Sequence, residues 1–397
     1  MAEHPTRDDV SFLSGEFWGR NPHDAFTWMR ANAPVYFDGT VWGITRYADL
    51  KAVSKDPETF SNAQGIRPDA GPIPQMIDMD DPEHFQRRKI VNKGFTPRRV
   101  REREDEIRSV CDEIIDRVAE KGECDFVWDI AAQLPLIMIA NDLGVAPEDR
   151  AQLLEWSDAM LSALTGNPES MGPATDAFIG YTEYSERVIA DRRQCPQDDL
   201  MSLLVHAEVD GDRLDQASLI HESLLILIGG DETTRHVISG GAYQLLTHPD
   251  QWDLLRDDPA KLTVGIEEML RWVTPIKNMS RTATRDVEFQ GQSIKEGQKV
   301  LLMYGSANRD EDIFDEPFRF DIERHPNEHV AFGFGTHFCL GNSLARLELK
   351  VMFEQLLARL PDLELVSPEE PAYRPANFVS GYESMPVRFS PVAKVGA

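Results

Sequence analysis

Apolar and polar residues follow two periods along this chain, and the helical one dominates. Residues 98–119 are strongly charged yet place Val100, Ile107, Val110, Ile114, Ile115 and Val118 at mixed spacings of three and four, which predicts one amphipathic helix. The same reasoning predicts helices over 22–31, 47–56, 148–164, 175–193, 198–207, 265–272 and 342–359, and a mostly apolar one over 125–145 that runs through Pro135. Gly166-Asn167-Pro168 and Gln194-Cys195-Pro196 read as connectors. The longest pattern, 215–247, has no proline and would extend about 50 Å as one helix. A period of two enters around Asp38-Gly39, reading as a hairpin, again over 278–303, and in a strand-rich tail. The expectation is a mainly α protein with small β-sheets. Its helix-rich core would occupy about 80–270 and 340–360, its β-rich portions about 30–46, 280–305 and 363–390, and no linker divides 1–397 into two domains.

Three stretches depart from these patterns. In the long helix, 224–230 is apolar on every face and must be buried, yet Gly229 and Gly230 lead straight into Asp231, Glu232, Thr233 and Thr234. Glycine inside a helix costs about 1 kcal/mol against alanine. Such a helix needs its backbone close to something bulky, or a local opening of its hydrogen-bond ladder; the alternative is a break with a polar cap. Residues 65–81 form a Gly/Pro-rich loop that nevertheless carries Ile66, Ile73, Met76, Ile77 and Met79, either a cavity wall or a loop folded over the core. Finally, 332–341 reads Phe-Gly-Phe-Gly-Thr-His-Phe-Cys-Leu-Gly. Three glycines around Cys339 allow a tight backbone path that presses amide N–H groups toward the sulfur, and the following helix start would help offset a thiolate there. An ordinary buried cysteine in a glycine-rich turn fits the same letters.

The loop resembles the haem-binding segment of the cytochrome P450 superfamily at Phe332, Gly333, Gly335, His337, Cys339 and Gly341. The resemblance implies the P450 fold, a triangular prism with a long central helix over haem b, with Cys339 as thiolate ligand to the iron and O2 as co-substrate. Three further motifs follow the same pattern. Gly229, Gly230, Glu232, Thr233 and Thr234 resemble the oxygen-binding groove, which implies that Thr233 acts at the bound oxygen and Glu232 belongs to proton delivery. His84 and Arg88, at i,i+4, and Arg281 and His337 correspond to the propionate-binding groups, with Gly341 beside the ligand. Glu268 and Arg271 resemble the structural Glu-x-x-Arg pair, whose third member the sequence places at Arg319, with Arg324 second. By the same likeness Ile73, Met76, Ile77, Met79, Ile226, Gly229, Val273, Ile276, Met279, Phe378 and Val379 would line a substrate channel.

Composition narrows the partners. Lys plus Arg 41 against Asp plus Glu 68 gives a net charge of −27, which disfavours nucleic acid, while a local basic zone at Arg87, Lys89, Lys93, Arg98, Arg99 and Lys350 would suit an acidic ferredoxin. Four scattered cysteines exclude a disulfide framework and a structural zinc site, and no apolar run approaches the roughly 20 residues of a membrane span. The expectation is a cytoplasmic monomer similar to the soluble bacterial class, served by a ferredoxin and an NAD(P)H-dependent ferredoxin reductase. Finer likeness in 65–84 and 332–341 points to actinobacterial enzymes that oxidise the terminal methyl of a cholesterol or cholest-4-en-3-one side chain. A fatty acid, terpenoid or macrolide is the alternative substrate. A peroxide-driven peroxygenase and a non-enzymatic haem carrier are the alternative functions, both disfavoured by the intact acid and threonine at 232–233.

Overall fold

The long helix, Gln216–Thr247, begins where the Asp215 carboxylate accepts the Ser218 amide at 2.7 Å, the side-chain cap that satisfies an otherwise unpaired N–H. Its 32 residues extend about 48 Å, and helices Gln133–Asp142, Leu262–Val273 and Asn342–Arg359 pack around it. The computed structural model describes residues 5–162 and 168–395, so 163–164 of one expected helix and Gly166 and Asn167 of a connector lie outside the described residues.

Helices dominate elsewhere too, with bounds that tertiary contacts shift. The predicted helix 98–119 is two, Pro97–Arg101 and Glu104–Val118, because the chain turns at 102–103, where Arg103 is drawn to Asp142 at 2.6 Å. The predicted helix 125–145 also divides. Strand Glu123–Asp125 pairs with Pro386–Arg388, Asp125 then caps a π-helical turn, Phe126–Ala131, and the α-helix proper is Gln133–Asp142. Pro135 sits in its first turn, where a missing N–H costs little. A helix at Pro249–Asp257 went unpredicted, although Pro249 at its first position and buried Trp252 and Leu255 carry the usual signals.

A five-stranded sheet closes one flank. Its order is Val35–Phe37, Trp42–Ile44, Lys299–Leu302, Met279–Ala283 and Phe60–Ser61, with Trp42–Ile44 parallel to Lys299–Leu302 and the other pairs antiparallel. The hairpin Val287–Phe289/Gln292–Ile294 turns through Gln290 and Gly291, both at positive φ, as a two-residue loop between twisted strands requires. The tail holds less strand than its pattern predicts: Glu364–Leu365 and Pro386–Arg388, plus isolated bridges Ile276 to Val379 and Tyr373 to Tyr382.

Candidate active site

The cysteine loop owes its path to two glycines. Gly333 and Gly335 have φ of 72° and 80°, and a Cβ on Gly335 would sit 2.6 Å from the Ser54 carbonyl oxygen. The turn closes through the Cys339 amide donating to the Phe332 carbonyl at 2.9 Å, and Asn342 Nδ2 donates to the Cys339 carbonyl at 2.7 Å. Gly341 has an ordinary φ of −81°, and a Cβ there would meet nothing within 4 Å; open space lies above it. Burial pushes the Cys339 thiol up, while the Gly341 amide, Arg88, Arg346 and the Asn342 amide pull it down. The donors expected around the sulfur are thus in place, and in the protein alone desolvation still outweighs them.

Beside this loop four basic groups converge. His84 is buried, its Nδ1 lies 3.0 Å from Asp81 Oδ1, and its Nε2 has no partner. Its ring lies against that of His337, centroids 4.0 Å apart at 31°. Arg88 donates to the Phe338 carbonyl, and buried Arg281 donates to the Ser280 carbonyl at 2.8 Å and meets the Tyr304 hydroxyl. Burial, with His84, Arg281 and Arg88 nearby, drives the His337 imidazole down to about 2. Burying this much basic character with so little acid is costly. Haem b carries two propionates, which would supply the missing carboxylates, and the space beside Gly341 is open to at least 4 Å from a Cβ; the residues present fit the group.

On the central helix Gly229 is exposed within a largely buried segment, and a Cβ there would also meet nothing within 4 Å. Gly230 faces the other way, where a Cβ would strike Ile139 at 2.6 Å. Thr233 Oγ1 donates to the Gly229 carbonyl at 2.7 Å in a helix that runs on unbroken, so the alternative of a break does not occur, and of the other two readings the close approach of a neighbour is the one seen, at Gly230. Glu232 is buried in a cluster. Its Oε1 accepts from Arg235 and, at 3.0 Å, from Arg374, while Oε2 lies 3.2 Å from His236 Nε2. Asp231 is fully buried with both oxygens unpartnered, and burial raises it to about 6. Arg235 and His236 stand at i+3 and i+4 from Glu232 and were legible as neighbours; Arg374 had no local signal.

The expected channel residues separate into groups. Ile77, Ile276, Met279, Phe378 and Val379 come together with Ile66, a residue the sequence list omitted. Met76 and Ile226 pack in a second cluster along the central helix, which Leu340 of the cysteine loop also joins. Ile73 and Met79 are half-buried on the same loop. Val273 is a correction: it packs against Gly240, whose Cβ would lie 2.6 Å from it, and lines a separate cavity. Arg319 is another. Arg271 grips Glu268 through two bonds of 2.7 Å, and the third member is Arg324, whose Nε reaches Glu268 Oε1 at 3.3 Å. Arg319 is exposed, pairs with Glu316 and offers Arg271 only its carbonyl, because the 321–327 turn brings Arg324 back over the pair.

The cytochrome P450 family model matches residues 261–379. The chain is 52% identical to a Steroid C26-monooxygenase of Mycobacterium tuberculosis over the full length of both proteins. It is 38% identical to a Vitamin D(3) 25-hydroxylase of Pseudonocardia autotrophica, covering 96% of each. A solved Mycobacterium marinum cytochrome P450 in complex with pseudoionone superposes with a TM-score of 0.89 at 35% identity, covering 98% of this chain and 100% of that one. With identity of this extent over the whole chain, and a family model that spans the cysteine loop, the chain belongs to the cytochrome P450 family.

Proposed function

We propose that this P450 monooxygenase hydroxylates the terminal methyl of a sterol side chain, in cholesterol or cholest-4-en-3-one. The observation that carries the substrate class is the 52% identity, end to end, to an enzyme named for steroid C26 oxidation. The apolar group of Ile66, Ile77, Ile276, Met279, Phe378 and Val379 supports it, since burying a sterol skeleton at about 25 cal/mol per Å² contributes several kcal/mol. Haem iron bound by thiolate supplies the O2 activation that places one oxygen atom in a C–H bond. Cys339 is the ligand; His84, Arg88, Arg281 and His337 hold the propionates. Thr233 serves at the Gly229 opening once its hydroxyl turns from the Gly229 carbonyl, and Glu232 passes protons toward it.

The same reading makes 1–397 one P450 domain, a monomer in the cytoplasm, reduced by a ferredoxin and its NAD(P)H-dependent reductase. No helix among the described residues is long and apolar enough to cross a membrane. The docking surface is smaller than the sequence expected. Arg87 is committed to Glu222, Lys89 pairs with Asp210, Arg98 with Glu102, and Lys350 is shared between Glu104 and Glu354, which leaves Lys93, with a backbone carbonyl, and Arg99, with an ion pair of 3.5 Å, as the better candidates. The test is turnover with a ferredoxin system on both sterols, set against a fatty acid, a terpenoid and a macrolide. A terminal alcohol from the sterols is expected; product from the other classes alone overturns the assignment.

A further inference from the structure

A cavity of about 730 Å³ opens between the 18–26 segment, the C-terminal half of the central helix, residues 272–277, Arg309 and the 370–373 and 381–382 loops. The cysteine loop, the 65–81 loop and Glu232 contribute nothing to its wall, so it is separate from the site described above. Trp18, Tyr243, Trp272, Phe318 and Tyr373 border it with flat rings, and Lys277 is half-buried on the same wall.

Two cations of this wall have no acid. Lys277 Nζ donates to the Val273 carbonyl at 3.4 Å, the Thr274 carbonyl at 3.1 Å and Tyr373 Oη at 2.7 Å, all neutral. Arg309 is buried, donates to the Arg271 and Trp272 carbonyls at 3.1 and 3.0 Å, and leaves Nε without a partner. Neither forms an ion pair among the described residues, whereas Arg271 is gripped by Glu268 and Arg30 by Glu311. The acids of the wall are placed otherwise: Glu370 accepts from Tyr382 at 3.2 Å, and Asp24 is exposed. Neutral carbonyls solvate a buried cation and leave its charge unbalanced.

We propose that this cavity binds an organic carboxylate with a flat apolar body, its head group beside Lys277 and its body against the rings. A carboxylate oxygen would replace the longest Lys277 bond, that to Val273, and bring the negative charge that Lys277 and Arg309 lack. Inorganic phosphate would bring charge and leave the rings to water; a neutral molecule would do the reverse. Burial and Arg309 lower Lys277 to about 7. An anion beside the amine favours its charged form, so the occupied site takes up a proton, and affinity falls as pH rises above about 7. Of the other groups on the wall, burial with cations nearby keeps His23 and His236 neutral, burial keeps Tyr373 and Tyr382 protonated, and Arg309 keeps its charge. His248, Glu370, Asp24 and Arg20 complete the titratable set, and variants of Lys277 separate their titration from its own.

The experiment titrates the haem-loaded protein with 2-naphthoate by calorimetry at pH 6 and pH 8.5, in buffers of different ionisation enthalpy, with and without saturating cholest-4-en-3-one. The neutral 2-naphthamide and inorganic phosphate are the comparisons, and Lys277→Met and Lys277→Arg the variants, each checked for the thiolate–CO spectrum. Naphthoate is expected to bind wild type at pH 6 at least tenfold more tightly than either comparison, to weaken at least fivefold by pH 8.5, and to take up more than half a proton at pH 8. Lys277→Met should lose at least tenfold in affinity at pH 6, and Lys277→Arg should bind with no pH dependence. Naphthamide binding as tightly as naphthoate overturns the carboxylate, and phosphate doing so overturns the apolar body. Binding that saturating sterol abolishes lies in the haem channel and overturns the site, as does unchanged affinity in Lys277→Met. Should the variants fail to fold, proton uptake by wild type decides: none at pH 8 overturns the proposal.

Discussion

The Glu222 carboxylate accepts the Met76 amide at 2.8 Å and fastens the 73–79 segment to the central helix, aided by Arg87 at 3.2 Å and by Gln75 reaching the His221 carbonyl at 3.0 Å. Burial raises this carboxyl from 4.5 to about 7, against the pull of Arg87 and the Met76 amide. With the folded value above the unfolded one, its contribution is fully present below pH 4.5 and is lost as pH rises through about 7. The loss is on the order of 3 kcal/mol, at about 1.4 kcal/mol per pH unit. Glu222→Gln is expected to remove this slope, measured as the difference in urea midpoint between pH 5 and pH 8. Equal differences in wild type and variant would contradict it.

Arg324→Ala leaves Glu268 short of a buried partner and is expected to cost about 2 kcal/mol. Arg271→Ala strands the carboxylate and should cost about 3–5 kcal/mol. Arg319→Ala, on an exposed side chain, should remain within about 0.5 kcal/mol. Denaturant melts of the three proteins check the order, and a larger loss for Arg319→Ala than for Arg324→Ala would reverse the assignment.

These contrasts mark where the sequence stops being informative. The cysteine loop and the central helix depend on local spacing or on a motif, and they were readable, whereas the stacking of His84 on His337 is a contact that only the fold shows. Arg319 and Arg324 are five residues apart in the same polar segment, and only the path of the 321–327 turn decides between them. Val273 lies next to channel candidates in sequence, yet the end of its helix turns it toward Gly240. The parallel strand pair joins residues more than 250 positions apart and leaves no local period. Arg374 reaches Glu232 from the tail, a contact only the fold creates.

The basic cradle makes a prediction about cofactor retention. Arg281→Met and His84→Phe each remove one group that lacks an internal carboxylate partner or leaves a ring nitrogen unsatisfied. The haem-free variants are expected to be no less stable than wild type, since a buried desolvated group is gone. Their haem should be lost faster by about tenfold, equivalent to about 1.4 kcal/mol. Transfer of haem to an excess of apomyoglobin measures this, and wild-type loss rates in both would remove these residues from the propionate site.

For the electron partner, reversing Lys93 and Arg99 to Glu should slow reduction by a competent ferredoxin, with the largest effect at low ionic strength. Arg87→Glu places a like charge beside Glu222 and should loosen the 73–79 segment, read as weakened sterol binding if that segment lines the pocket as proposed. Stopped-flow reduction across a salt series separates the two outcomes. Unchanged rates for Lys93→Glu and Arg99→Glu would move the docking surface elsewhere.

Thr233 and Glu232 predict different failures. In this structure the Thr233 hydroxyl spends its proton on the Gly229 carbonyl, and so it is available at the opening only when that bond rotates away. Thr233→Ala removes no buried ion pair and should leave folding, thiolate spectrum and sterol binding close to wild type. Oxygen consumption should continue while product per NAD(P)H falls several-fold and hydrogen peroxide rises to match. Glu232→Gln keeps an oxygen acceptor for Arg374 but withdraws the negative charge from buried Arg235, a loss of about 1–3 kcal/mol. Its expected kinetic effect is a slower step after the second electron, with an enlarged solvent isotope effect and less peroxide than Thr233→Ala gives. Assays run well below the melting temperature of each variant separate this from instability. If both haem-loaded variants keep wild-type rate and coupling, the cluster of Glu232 with Arg235, His236 and Arg374 serves to hold the helix and carries no protons.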